Sequence, residues 1–364
     1  MDAGEEAPLA GVFVPAIHPT DDGGALVAGG TAAPGAWAMR VSSDGRPQWR
    51  VSIDDDERIG AARSVFPGPD PEGATLVGRR RVGGGGAAGW RLDVDSNGRP
   101  GPPVALIPAE PAASVGYAAW LGDEAIALSG ATEAEGGWVR RFDGEGAQIG
   151  RTDVCAGERC LDLMPLILGP DRTMYGVSAQ GGSWVTPEGV FEEPQILSVF
   201  ALSPAGEVVW HQRVEDSSDI PVGISWTDRG TLLVATAHMS GVQGGLLLAF
   251  DSDGQVLWRR DTVDEERWDL GLSAVAALPS GSFLVGGLIQ GPLFEDPPTS
   301  QAWLAGYQPE GRRCWELTLD RPELDPELIL ATQPGLGGAV WATGWRRLAD
   351  RRTVPWIVRL DPIP

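Results

Sequence analysis

The sequence predicts an all-β chain folded as a seven-bladed β-propeller, a ring of four-stranded antiparallel blades closed near the termini. Three observations carry that expectation. One hairpin-like stretch recurs six times and starts a seventh. Within it, tryptophans and turn glycines keep fixed offsets. No helical period of comparable strength stands between the copies.

The six copies are Ala36–Trp49, Gly89–Pro102, Gly137–Gly150, Leu197–Trp210, Gly245–Trp258 and Ala302–Trp315, with Pro355–Pro364 breaking off halfway. Aligned on Gly45, Gly98, Gly146, Gly206, Gly254 and Gly311, they are spaced 53, 48, 60, 48 and 57 residues apart. Eight residues before the glycine stand Trp37, Trp90, Trp138 and Trp303, with Trp356 in the truncated copy. Four residues after it stand Trp49, Trp210, Trp258 and Trp315. Offsets of −8, −6 and −4 share one face of a strand, because successive side chains alternate. The Asp/Ser-x-Asp-Gly stretch then reverses the chain, glycine supplying positive φ and aspartate bonding its own backbone.

A second hairpin precedes each copy, for example Val222–Trp226, the turn TDRG, and Thr231–Thr236. Four strands, A to D, therefore recur per repeat, the signature of a propeller. The expected blades are 10–53, 59–107, 112–154, 161–214, 220–262, 270–319 and 325–360, all in one domain spanning 1–364. The seventh lacks its D strand, so a strand from residues 4–8 is expected to complete it.

Composition narrows the function classes. Glycine (51) and proline (30) mark a turn-rich chain of 364 residues, and 42% apolar content is that of a globular protein. The net charge of −22, with 50 acidic against 28 basic side chains, argues against nucleic acid as a partner. All the basic residues other than histidine are arginine, which removes a Walker A lysine and Schiff-base chemistry. No apolar run reaches about 18 residues, so no transmembrane helix is expected. Met1–Ala10 is acidic and has neither the basic start nor the apolar stretch of a signal peptide. The expectation is an extracytoplasmic protein (periplasmic, surface lipoprotein or secreted) whose export signal is absent from this chain; a cytoplasmic place is the alternative.

The C–D hairpin Leu246–Asp261, LLLAFDSDGQVLWRRD, resembles the repeats of PQQ-like, quinoprotein-type propellers, and Val199–Val214 is similar. That resemblance includes outer-membrane assembly lipoproteins that carry the repeat without a cofactor. Kelch repeats are the rival, since Gly29-Gly30 and Gly286-Gly287 look like the kelch double glycine. Enzymatic quinoproteins carry an adjacent-cysteine disulfide, and this chain has no Cys-Cys pair. The resemblance therefore implies the fold and speaks against the redox chemistry.

Asp93-Val-Asp95-Ser-Asn97-Gly98 reads as the start of a calcium loop, yet it fills the slot of an ordinary turn in other blades. Cys155 and Cys160, five apart, could close a loop disulfide in an oxidising compartment, while Cys314 beside Trp315 reads as packing. Trp184 and Trp268 are the candidates for exposed aromatics on the loop face. His18, His211 and His238 fall in blades 1, 4 and 5, and a shared metal site would require them to converge. The pattern that rises above these lies in the D-to-A connections. They carry Asp54, Asp55, Asp56 and Glu57; Glu215, Asp216 and Asp219; Asp264, Glu265 and Glu266; and Asp320, Glu323, Asp325 and Glu327. Glu192, Glu193, Glu295 and Asp296 of the B–C loops open on the same face of a propeller, and the opposite charge appears there in blade 7 as Arg346, Arg347, Arg351 and Arg352.

Three functions follow as expectations. The first is a non-catalytic binding or scaffolding propeller, without a cofactor, presenting this acidic face to a protein or cationic ligand. The second is a carboxylate-dependent hydrolase or lyase with its site in the central funnel. The third is a calcium-stabilised adhesin or lectin.

Overall fold

The computed structural model describes the backbone of residues 13–30, 35–53, 60–81, 86–110, 113–122, 124–132, 136–155, 160–186, 189–214, 219–238, 244–262, 270–290, 300–319, 326–347 and 353–361. Side chains are described for these except 13–15, 81, 109–110, 113, 160–164, 181–186, 189–195, 219, 238, 270, 290, 300, 326–327, 346–347 and 353. Strands β1–β27 run in chain order, and one 3-10 turn at Leu336–Gly338 interrupts them. They form six four-stranded sheets and one three-stranded sheet, each antiparallel and built from consecutive strands. These are the seven blades.

Each blade begins at the axis. The inner strands are β1 (Phe13–Pro19), β5 (Ala62–Pro67), β9 (Ala113–Gly122), β13 (Cys160–Leu168), β17 (Asp219–Trp226), β21 (Leu270–Ala277) and β25 (Pro326–Pro334). Each packs against the next around the ring, and β25 packs against β1, so the circle closes. Arg359 of blade 7 also donates a hydrogen bond to the Ser43 carbonyl in a turn of blade 1. The outer strands are β4 (Pro47–Ile53), β8 (Val104–Glu110), β12 (Gln148–Cys155), β16 (Val208–Val214), β20 (Val256–Asp261) and β24 (Arg313–Leu319). Blade 7 ends at its third strand, β27 (Thr353–Leu360), among the described residues. The expected strand over residues 4–8 lies outside them.

Alternation shows in only part of each blade. Ala25–Gly30 and Ala36–Val41 are buried along their whole length, because neighbouring blades cover both faces of the middle strands. The outer strand Val208–Val214 shows the period instead, with exposed and half-buried residues alternating from Val209 onward. The −8 tryptophans Trp37, Trp90, Trp138 and Trp303 are buried, at 2% exposure or less. Trp356 is half-buried, since β27 has no described outer neighbour.

Each of those five tryptophans faces a glycine of the adjacent strand: Gly29, Gly78, Gly130, Gly287 and Gly344. A Cβ on Gly130 would lie 2.3 Å from the Trp138 ring, and one on Gly78 2.3 Å from the Trp90 ring. The glycine leaves the space that the indole fills.

Candidate functional site

Two faces and a channel are available to a ligand. The D strands and the following A strands meet at one rim, between Ile53 and Ala62, Val214 and Asp219, Asp261 and Leu270, and Leu319 and Pro326. The four acidic runs lie in sequence between those strand ends. Asp54–Glu57, Glu215, Asp216, Asp264, Glu265, Glu266, Asp320, Glu323 and Asp325 are outside the described residues, as are Glu295, Asp296 and Trp268. Asp219 heads β17 and Glu327 is the second residue of β25; their backbones are placed at that rim and their side chains are not described. Blade 4 rises beyond its neighbours there, with β14 (Met174–Thr186) and β15 (Gly189–Leu202) paired out to Thr186 and Gly189. Trp184, expected in a loop, therefore stands in a strand opposite Phe191, and Glu192 and Glu193 share that ribbon. A hairpin extended by regular pairing needs no turn residues until its tip, so no turn separates the blade from its extension.

On the opposite face the leading aspartates of the C–D turns bond their own turn backbone. Asp95 Oδ1 accepts the Asn97 and Arg99 amides at 2.9 and 2.8 Å, and Asp143 and Asp251 do the same in their blades. Asp93 accepts from Thr75 at 2.6 Å and pairs with Arg91. The calcium-like motif thus uses its acids in the hydrogen-bond pattern of turns that lack the motif. Among the described residues no group of three or more His, Cys, Asp or Glu is arranged to hold a metal. Asp22 is held down to about 2 by hydrogen bonds from Thr20, Arg40 and the Gly24 amide; Asp44 and Asp171 are lowered by bonds from Ser42 and Thr173 in their own turns, and Asp70 by bonds from Ser96 in the other turn of its blade.

This face also ties the blades together. Trp49, Trp210 and Trp258 donate their indole N–H to the Glu72, Ser252 and Pro309 carbonyls, each in a turn of the next blade. Arg40 and Arg141, five residues before the turn glycine, and Arg359, three residues after Trp356 as Arg40 is after Trp37, reach the Pro71, Pro204 and Ser43 carbonyls in the same way. Arg91, 1% exposed, binds the Glu124 and Gly144 carbonyls of blade 3 at 3.0 and 2.8 Å.

The channel is lined by the inner strands, and every one of them carries a register shift against its neighbour at the same level. A bulge leaves one residue unpaired and re-aims its side chain. Arg63, Val222 and Ser273 are the bulged residues of blades 2, 5 and 6; each is half-exposed between two buried neighbours. Tyr117, Pro165 and Leu330 are half-exposed at the corresponding shifts. Bridges between inner strands hold this level. Ser64 Oγ accepts the Ala118 amide at 2.9 Å, Ser225 Oγ accepts that of Ala277 at 2.8 Å, and Ser273 donates to the Ile329 carbonyl.

His18 and His211 do not gather: His18 is on inner strand β1, its pKa lowered by burial with Asp21 opposing, and His211 is exposed on outer strand β16; His238 ends β18 (Leu232–His238) and its side chain lies outside the described residues. Cys155 is buried and disulfide-bonded; the side chain of Cys160 lies outside the described residues. Cys314 is an exposed free thiol and not a packing residue, because β24 is an outermost strand whose outward positions meet solvent.

No family model and no curated protein matches the chain. Among solved structures it is similar to BP39L lectin from Burkholderia pseudomallei, at 11% identity and TM-score 0.61 over 97% of this chain and 96% of that one. It is similar to the GH74 xyloglucanase from Xanthomonas campestris, at 15% identity and TM-score 0.54 over 96% of this chain and 55% of that one. The β-propeller domain of the Trilobed protease from Pyrococcus furiosus, with an open velcro topology, matches at 12% identity and TM-score 0.52, over 96% and 95%. Identities this low show the fold alone.

Proposed function

We propose that the chain is a non-catalytic binding propeller that presents an acidic rim to a basic protein segment or other cationic ligand. The observation that carries this reading is the placement of acid in four D-to-A connections, one topological slot occupied in four blades. On the other face Asp95, Asp143 and Asp251 already accept hydrogen bonds within their own turns. Like charges gathered on one rim attract a cationic partner and speed its encounter, and screening reaches only about 8 Å at physiological salt. The repeat pattern goes with a cofactor-free relative of the PQQ-like propellers, and a disulfide at Cys155 supports an extracytoplasmic place.

The test is association of a fluorescent oligoarginine peptide with the intact chain across a salt series. Binding should weaken steeply with salt, and replacing Asp54–Glu57 and Asp264–Glu266 by the corresponding amides should flatten that dependence. Binding and salt slope unchanged by both replacements would leave the acid with a solubility role alone.

A further inference from the structure

Arg63 is an unusual cation in a chain with such an excess of acid. It occupies the bulge of β5, half-exposed between buried Ala62 and Ser64 on a strand that lines the channel. Its Nε is enclosed and has no hydrogen-bond partner, and no carboxylate among the described residues pairs with it. Its guanidinium lies over the ring of Tyr117, 5.7 Å from the centroid, on the inner strand of the next blade. The Nε is thus enclosed and the guanidinium lies against an aromatic ring, while no described residue takes a hydrogen bond from the terminal amines. Among the described side chains, the rest of that level offers Pro165, Val222 and Leu330, all half-exposed and apolar, and Ser273, whose hydroxyl is spent on Ile329.

A planar fork with fixed orientation matches a carboxylate through two parallel N–H···O bonds. An apolar ring around one cation suits an acid carried on an aliphatic body better than a freely hydrated inorganic ion. We propose that the channel at the bulge level binds a carboxylate borne on an apolar group, with Arg63 as the carboxylate-binding residue and Tyr117 as its platform. A small aliphatic acid and the free C-terminus of a chain ending in an apolar residue carry this same chemistry. The site stands on described residues and does not depend on the acidic rim.

The test uses calorimetry on the intact chain with paired probes: hexanoate against hexanamide, and a leucine-terminated peptide with a free carboxylate against its amide. In the wild type the acid should bind at least about tenfold tighter than its amide, as expected for a charge-assisted pair. A preference for hexanoate assigns a small acid; a preference confined to the peptide assigns a chain end. Arg63→Gln should abolish the preference and Arg63→Lys should restore part of it, since it keeps the charge and loses the fork. Arg80→Gln should leave it intact, because Arg80 also has an enclosed, unpartnered Nε but stands on the second strand, β6 (Ala74–Arg81). No acid preference in the wild type overturns the proposal whatever the variants do, and so does a preference that survives in folded Arg63→Gln.

Discussion

Trp258 does two separable things. Its indole stacks on Phe283 of the next blade, with ring centres 5.8 Å apart, and its N–H donates to the Pro309 carbonyl at 2.9 Å. Trp258→Phe should keep the stacking and lose the bond, costing about 1 kcal/mol, whereas Trp258→Ala should cost about 3–5 kcal/mol. Denaturant titration of the two variants checks this; equal losses would mean that the hydrogen bond, not the ring, joins the blades. The tryptophan's position was legible as a fixed offset from the turn glycine, but its partner was not, since the carbonyl belongs to a residue 51 positions away. Asp22 gives the residue scale a pH dependence. Its carboxyl is depressed to about 2, so its contribution is fully present above the ordinary aspartate range and is lost as pH falls through that value. Asp22→Asn should therefore lower stability at neutral pH and narrow the gap to wild type near pH 2, as thermal melts across that range would show. The side chain is 46% exposed, so solvent screening keeps the effect small. A gap that stays constant with pH would assign the loss to the turn geometry alone.

At the scale of elements, the pairing of tryptophan with glycine explains why the B strand tolerates residues that weaken isolated strands. Gly78 and Gly130 each lie where a Cβ would meet an indole at 2.3 Å, with a backbone oxygen at 2.4 and 2.6 Å behind it. The ring cannot move without disturbing the neighbouring blade, and the carbonyl cannot move at all without shifting the inner strand. Gly130→Ala should then cost about 3 kcal/mol, at the upper end for overpacking. Trp138→Leu in the same chain should recover part of that cost, a coupling that a double-mutant cycle measures directly. Additive losses would show that the clash with the Ser114 carbonyl, not the indole, sets the penalty. The glycines at Gly29 and Gly287 were legible as a double-glycine pattern, and the structure gives both the same place opposite a tryptophan. The bulges were not legible, because an extra residue in a short apolar strand changes neither composition nor period enough to register. Arg63 was passed over for that reason: its meaning comes from the bulge that turns it toward the channel. The buried Arg91 was missed likewise, since nothing in Gly89–Pro102 distinguishes an arginine that clamps two turns from one in solvent.

For the whole molecule, the repeat fixed the number of blades and their order because each copy carries its own turn and its own tryptophan. The candidate rim was legible only as a topological slot. Its charge could be counted from the sequence, but loop shape depends on connections that share no pattern among blades. The ring's weakest point follows from the same strand count. Blade 7 has three strands among the described residues, and its last, β27, leaves Trp356, Val358 and Leu360 half-buried where other blades bury most or all of the third strand. In the other blades the outer strand is 6 to 8 residues long, and its connection to the next inner strand runs from two residues (111–112) to eight (54–61). Twelve residues precede Phe13, enough for a short outer strand and a short connection into β1. An outer strand enters the next inner strand from the rim, and β1 begins at that rim, so the direction of the chain also fits. Removal of residues 1–9 should then expose the edge of β27, lower the melting temperature by at least a few degrees, and speed hydrogen exchange at the amides of Val354–Leu360. Exchange there should change while that of β2 (Ala25–Gly30) does not, which separates loss of a strand from general loosening of the fold. Unchanged protection along β27 would mean that the seventh blade is complete with three strands, and that Arg359 on Ser43 and the packing of β25 on β1 are enough to close the ring.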